Sequence, residues 1–349
     1  MSQRALEFLV PGDLRAGTGG YVYDRRIVAG LRALGWRITV HTLEASFPHP
    51  NASALEHARH VLASLADQAL VLIDGLALSA MPEVVRSHSA RLALVALVHM
   101  PLGSDRGLQA GMAQVLEQSE RQALQAVRHI VVTGRSSRET LRRYGIAPER
   151  ISIVEPGTDE APVTCRFSEE AVRLLCVATL GPGKGHELLI DALAPLAPMR
   201  WHLTCVGSLA RYPKTVEQLR AQLQHTGLTE RVTLVGEVDP GEVTRFYQDA
   251  DLFVLATRSE SYGMAIAEAL AHGLPVISTC TGAIPDLVGA DAGLLVMPDH
   301  LEALRQALAR ALNDPVLRAS LARGAAVARR TLPRWSEACS RMMRILEEV

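Results

Sequence analysis

The sequence predicts an α/β protein of two domains, each built around a parallel sheet. Three observations carry that expectation. The chain has 349 residues, more than one hydrophobic core usually serves. Short apolar runs alternate with helix-like stretches from residues 5–10 to residues 293–296, as in consecutive β–α units. Residues 251–279, DLFVLATRSESYGMAIAEALAHGLPVIST, hold a complete strand–turn–helix–strand unit. In that stretch, residues 252–256 have the length and composition of a buried strand. Gly263 permits a sharp bend, and residues 264–272 form an Ala-rich helix with Gly273 at C′. Pro275 to Ser278 begins the next strand. In such a unit the turn lies at the carboxyl edge of the strands, where open α/β sheets bind ligands.

Composition sets limits. Apolar residues make up 48% of the chain and charged residues 21%, as in an ordinary globular protein. Residues 1–158 hold 17 Arg against 14 acids, and the remainder 19 basic residues against 23 acids. Neither half carries the strongly basic face of a nucleic-acid binder, so no nucleic-acid partner is expected. Cys165, Cys176, Cys205, Cys280 and Cys339 are scattered without metal-ligand spacing. Cys176 and Cys205 fall inside predicted buried strands and read as small core residues. This usage suits a reducing compartment. The start, MSQRALEFLV, runs directly into a strand, so no signal peptide is expected. No run of about 18 apolar residues occurs, so no transmembrane segment is expected. Together these point to a cytoplasmic location, with peripheral membrane contact left open.

In chain order, residues 5–10 form the first strand. PGDLRAGTGG is a loop, and a helix runs over 21–34 to Gly35. Gly19 and Gly20 sit where the helix begins and can bring backbone amides against a ligand, or simply make a tight turn. The spacing G-x-G-x-x-G is absent after this strand, so a dinucleotide fingerprint is not supported. A strand over 37–43, a helix over 55–65, and strands over 69–73 and 91–98 follow. His99 lies at the carboxyl end of the last of these, as a ligand-facing or a structural histidine. An amphipathic helix spans 105–128, a strand 130–133, a helix 136–144 and a strand from 151. Residues 160–168 are the linker. The domains are therefore 1–159 together with a C-terminal helix over 334–349, and 169–330.

The second domain opens with a strand over 172–178 and the loop TLGPGKGHELLIDAL. Lys184 lies between two glycines at a helix start. It is one of two lysines in a chain with 34 Arg, which suggests that a compact, mobile ammonium is wanted there. Strands at 201–206 and 232–235 and a helix at 215–226 follow. Asp239-Pro240-Gly241-Glu242 has the spacing of a capping box with Pro at N1. Helices over 301–312, 316–330 and 335–348 close the chain.

Two carboxylates, Glu260 and Glu268, bracket the turn of residues 251–279 with seven residues between them. The N–H groups of Tyr262, Gly263 and Met264 form a potential anion site at a helix N-terminus. E-x7-E followed by A-L-A-x-G-x-P-V-I resembles the motif of retaining glycosyltransferase family 4. That resemblance implies the GT-B fold: two Rossmann-like domains facing a cleft, with a C-terminal helix crossing back to the first. It extends to the Gly19-Gly20 loop, to Lys184-Gly185 and to Thr281-Gly282-Ala283-Ile284-Pro285-Asp286. It is strong over residues 172–296 and diffuse before them, where acceptors differ. Family members commonly have an Arg where this chain has Thr179, so Arg258 is a candidate substitute cation.

The resemblance implies transfer of a sugar from a nucleoside-diphosphate sugar, held by the second domain, to an acceptor held by the first. It implies retention of configuration, no metal and no cofactor beyond the donor. Lys184 and the helix dipole at Gly263 and Met264 would stabilise the leaving diphosphate. Glu268 would accept from ribose hydroxyls. Glu260, with Ser261 beside it, would orient the donor sugar, and His99 would hold that sugar. The acceptor is a small molecule, a glycan or a lipid. Another enzyme of the same fold, such as a nucleotide-sugar epimerase or a phosphorylase, and a non-catalytic nucleotide-sugar sensor stay open at this point.

Overall fold

The computed structural model describes residues 4–104, 110–163 and 171–349. Residues 105–109 of the expected long helix, and residues 164–168 of the expected linker, lie outside the described residues. The first elements are β1 (Ala5–Pro11), α1 (Gly19–Ala33), β2 (Arg37–Leu43), α2 (Ala52–Ser64), β3 (Leu70–Asp74), α3 (Gly75–Leu78), α4 (Pro82–His88), β4 (Ala93–Val98), α5 (Ala110–Gln125), β5 (His129–Val132), α6 (Arg135–Arg143) and β6 (Ile151–Ile153). Then come β7 (Val172–Val177), α7 (His186–Leu193), β8 (Trp201–Val206), α8 (Pro213–His225), β9 (Val232–Gly236), α9 (Pro240–Asp249), β10 (Leu252–Leu255), α10 (Met264–Ala271), β11 (Val276–Thr279), α11 (Ile284–Val288), β12 (Gly293–Val296), α12 (Leu301–Asn313), α13 (Pro315–Ala328) and α14 (Trp335–Glu348). The chain divides into two compact units, Met1–Gly157 with Pro333–Val349, and Thr158–Leu332.

In the first unit the sheet order is β2-β1-β3-β4-β5-β6, with every pairing parallel. The strand order reverses between β1 and β3, and the crevice outside such a switch point is where doubly wound sheets bind ligands. β4 is buried along its whole length, because helices cover both faces of a parallel sheet. Helix α14 joins this unit by packing on α1. A Cβ on Gly30 would lie 2.1 Å from Cys339 Sγ, so a side chain at position 30 would force the two helices apart. The C-terminal helix thus returns to the first unit, as expected.

In the second unit the order is β12-β11-β10-β7-β8-β9, again all parallel. Here the switch point falls between β7 and β10, so the loops after Val177 and after Leu255 share one crevice. At the opposite end of the strands, Arg173 binds the buried Asp251 carboxylate through its backbone N–H at 2.8 Å and its guanidinium at 2.9 Å. This bond ties β7 to the residue preceding β10.

Two local expectations are corrected. Asp239 stands at the N-cap of α9, but its side chain makes no cap hydrogen bond, and only its carbonyl accepts, from Glu242 N at 2.9 Å. Pro240 at N1 starts the helix unaided because its φ is already helical. The short helices α3, α4 and α11 were not foreseen. Each spans seven residues or fewer, too short for a 3.6-residue period to show, and they form by packing rather than propensity. Among the described residues, no helix is long and apolar enough to cross a membrane.

Candidate active site

The second unit assembles its crevice from two glycine-dependent loops. Gly185 has φ +69°, and a Cβ there would fall 1.9 Å from the Ala256 carbonyl oxygen. The loop before α7 can therefore lie directly on the segment after β10. Arg258 N donates to Gly183 O at 2.7 Å, and Thr257 Oγ1 donates to the same oxygen at 3.2 Å. Lys184 is carried on this loop, and its ammonium pairs with the Glu260 carboxylate. The Lys184 side chain is one-third exposed and that of Glu260 one-sixth, so the pair is partly screened by solvent.

Helix α10 starts at the far side of Glu260. Gly263, its N-cap, has φ +98° and supplies no side-chain cap. The first N–H groups of a helix lack intrahelical acceptors, which makes this terminus suited to an anion. Ser261 and Tyr262 are buried. Tyr262 packs with Ala267 and Ala283, so its side chain serves the turn as a hydrophobic anchor. Met264 is half-buried. The turn 281–286 braces this segment, with Ala283 N donating to Ser261 O at 3.2 Å.

Glu268 lies within α10, where its Oε2 accepts from Tyr247 Oη of α9 at 2.9 Å. Tyr247 is buried, stacks 5.2 Å from the His272 ring, and has its phenol pKa pushed up, first by burial and then by the Glu268 charge. It therefore remains a hydroxyl donor that holds one carboxylate oxygen still. Arg258 pairs with Glu187, and its Nε lies 2.5 Å from Asp299 Oδ1. The cation considered as a substitute near Thr179 is thus balanced by two carboxylates in this structure.

The first unit gathers a separate cluster at its own switch point. Gly20 lies in the first turn of α1, where a Cβ would sit 3.1 Å from His99 Cδ2; the bare backbone lets the imidazole lie against the helix. Gly19 precedes it as the first helical residue. His99 Nε2 is 3.0 Å from Asp24 Oδ1 and 3.4 Å from Asp74 Oδ2. Its ring meets Tyr23 edge-on at 5.3 Å, and its carbonyl accepts from Thr133 Oγ1 at 2.9 Å. Burial lowers the imidazole pKa, but the two carboxylates outweigh burial and raise it to about 10. Burial raises Asp24 to about 6 against the pull of His99. At neutral pH the pair is imidazolium and carboxylate, so His99 is a fixed donor with no basicity to offer.

The sequence reading missed Asp24 and Asp74. A signal existed for Asp24: it falls among Tyr23, Ile27, Val28 and Leu31 on the buried face of α1, where a carboxylate needs a partner. Among the described residues, two groups bring three potential metal ligands together: Asp24–Asp74–His99 and Cys176–His186–Cys205.

Residues 18–161 match the family described as Glycosyltransferase Family 4, and residues 171–314 match the one described as Glycosyl transferases group 1. A D-inositol 3-phosphate glycosyltransferase of Jonesia denitrificans is 30% identical over 236 residues, covering 62% of this chain and 54% of that protein. An MMP alpha-(1->4)-mannosyltransferase of Mycolicibacterium hassiacum is 27% identical, covering 78% of this chain and 69% of its own. The chain thus spans little more than half the length of the first of these relatives. Among solved structures, a sucrose-phosphate synthase of Thermosynechococcus elongatus aligns with a TM-score of 0.83 at 19% identity over 99% of this chain and 98% of its own. Anabaena Alr3699/HepE in complex with UDP-glucose aligns at 0.79 and 18% identity over 99% of this chain and all of its own. At such identities these two establish the fold alone. With both halves of the chain matched and two all-parallel sheets in the order described, this chain belongs to the family 4, group 1 glycosyltransferases of GT-B fold.

Proposed function

We propose that this protein is a retaining, metal-independent glycosyltransferase that moves a sugar from a nucleoside-diphosphate sugar to a small soluble acceptor. The observation that carries the reading is the Lys184–Glu260 pair set beside the uncapped N-terminus of α10. A leaving diphosphate gathers negative charge as the anomeric C–O bond breaks, while the sugar gains oxocarbenium-like positive charge. Lys184 and the α10 N–H groups supply the positive side, and Glu260 supplies the negative side. Groups fixed in advance for both charges are preorganised electrostatic catalysis.

In this reading, binding of the donor replaces the direct pair. The Lys184 ammonium turns to the diphosphate, and Glu260 accepts from the sugar hydroxyls. Glu268 accepts from the ribose hydroxyls, oriented by Tyr247. The acceptor oxygen forms its bond to the anomeric carbon on the face the diphosphate leaves, and the acceptor proton passes to the departing phosphate oxygen. No side chain is then required as base, in keeping with an imidazolium at His99. The first unit binds the acceptor, with Gly19 and Gly20 offering backbone, while His99, a fixed hydrogen-bond donor, holds the donor sugar. A diphosphate donor is supported by the UDP-glucose of the Anabaena complex. A small acceptor is supported by the inositol phosphate that names one relative.

The test is thermal unfolding with UDP, GDP and ADP in turn, repeated on Glu268→Ala. A ligand at 100 times its dissociation constant adds about 2.7 kcal/mol. One nucleotide is expected to raise the wild-type midpoint by several degrees and to leave the variant unmoved. No shift with any of the three overturns the reading at its donor site.

A further inference from the structure

Three ligating side chains meet in the core of the second unit, none of them used above. Cys176 on β7 and Cys205 on β8 are paired in register, so parallel pairing directs both side chains to one face of the sheet. His186 opens α7 over that face, with Nε2 3.6 Å from Cys176 Sγ. One ligand atom from each residue lies within 4.8 Å of the other two. The residues are 1%, 2% and 3% exposed. His186 Nδ1 is buried without a hydrogen-bond partner. Buried histidines kept for hydrogen bonding ordinarily find partners for their polar atoms. This ring directs one nitrogen at a thiol and leaves the other unserved.

We propose that Cys176, Cys205 and His186 form a binding site for a thiophilic divalent cation of the Zn2+ class. Zinc bonds of about 2.3 Å to sulfur and about 2.0–2.1 Å to nitrogen at a tetrahedral angle place the two ligand atoms about 3.6 Å apart. The Cys176–His186 distance is 3.6 Å. Two thiolates neutralise a divalent cation and leave no net charge in a low-dielectric core. A ligating imidazole is usually oriented by a second bond at its other nitrogen, and the buried Nδ1 of His186 is the position for it. His186 is adjacent to Gly185 and two residues from Lys184, so an occupied site would pin the base of the loop that carries Lys184.

The experiment is a titration of the reduced, chelator-treated full chain with Co2+, followed by competition with Zn2+. The expected result is one equivalent of Co2+ per chain, a thiolate-to-cobalt charge-transfer band, and loss of that band on adding Zn2+. The band is expected to survive in Cys165→Ser/Cys280→Ser/Cys339→Ser and to vanish in Cys176→Ala/Cys205→Ala. Absence of the band in wild type, its loss in the triple variant, or its persistence in the double variant overturns the proposal. The first two outcomes do not depend on the double variant folding. None of the readouts uses transfer activity, so failure here is separable from failure of the proposed function.

Discussion

Gly282 lies against the backbone of Glu260 so closely that a Cβ at position 282 would fall 1.8 Å from the Glu260 carbonyl oxygen. Its φ is +57°, a region that glycine occupies without strain. The turn after β11 therefore sets the height of the segment that carries the Glu260 carboxylate.

Gly282→Ala is expected to displace that segment. Where φ is positive and backbone is in contact, such a change costs more than about 1 kcal/mol of stability. Transfer activity should fall by a larger factor than the thermal midpoint alone explains. Activity assayed well below the variant's midpoint checks this; wild-type turnover there would separate the turn from the Glu260 geometry.

Lys184→Ala and Glu260→Ala are each expected to lose about a hundredfold to a thousandfold in turnover while staying folded, the usual cost of removing one preorganised charge from a closed site. Each partner is part-exposed, so the pair itself adds little to stability. Steady-state release of nucleoside diphosphate, beside circular dichroism, measures both.

Tyr247→Phe removes the hydrogen bond to Glu268 Oε2 and leaves the ring stack in place. A hydrogen bond to a charged group contributes about 1.5–3 kcal/mol, so nucleotide affinity should weaken by at least tenfold. Calorimetry of nucleotide binding to the two proteins decides it; equal affinities would mean that Glu268 needs no support.

The pH dependence of stability has one strong candidate in Glu120 of α5. Burial raises its pKa to about 7, although its carboxyl accepts from Ser79 Oγ at 3.0 Å and from Leu102 N at 3.1 Å. The folded state then holds a proton that the unfolded chain, at the ordinary 4.5, has released. The stability it contributes is complete below about pH 4.5 and is lost as the pH rises through about 7. Glu120→Gln keeps the neutral form at every pH. Its stability relative to wild type should rise between pH 5 and pH 8, and denaturant midpoints across that range test it.

The elements of the second unit were legible because their markers are local. The bend at Gly263 and the C′ glycine at Gly273 stand at φ +98° and +77°, as the residues predicted, since no side-chained residue sits comfortably there. Lys184 stood out because its neighbours are glycines in a chain with 34 Arg and two Lys. The capping box at Asp239 had the right spacing without the side-chain bond, because spacing permits a contact and packing decides whether it forms.

The amino-acid sequence by itself determined the strand and helix alternation, the family and the loops at the strand tips, because each rests on near neighbours or on period. Tertiary structure alone decided which side chains meet. Asp24, Asp74 and His99 come from α1, β3 and the end of β4, and the order β2-β1-β3-β4 brings them together. Cys176 and Cys205 read as unrelated core residues until the β7–β8 register paired them. The physical reason is that a parallel ladder joins positions separated by a whole crossover helix, and register carries no local mark in the chain.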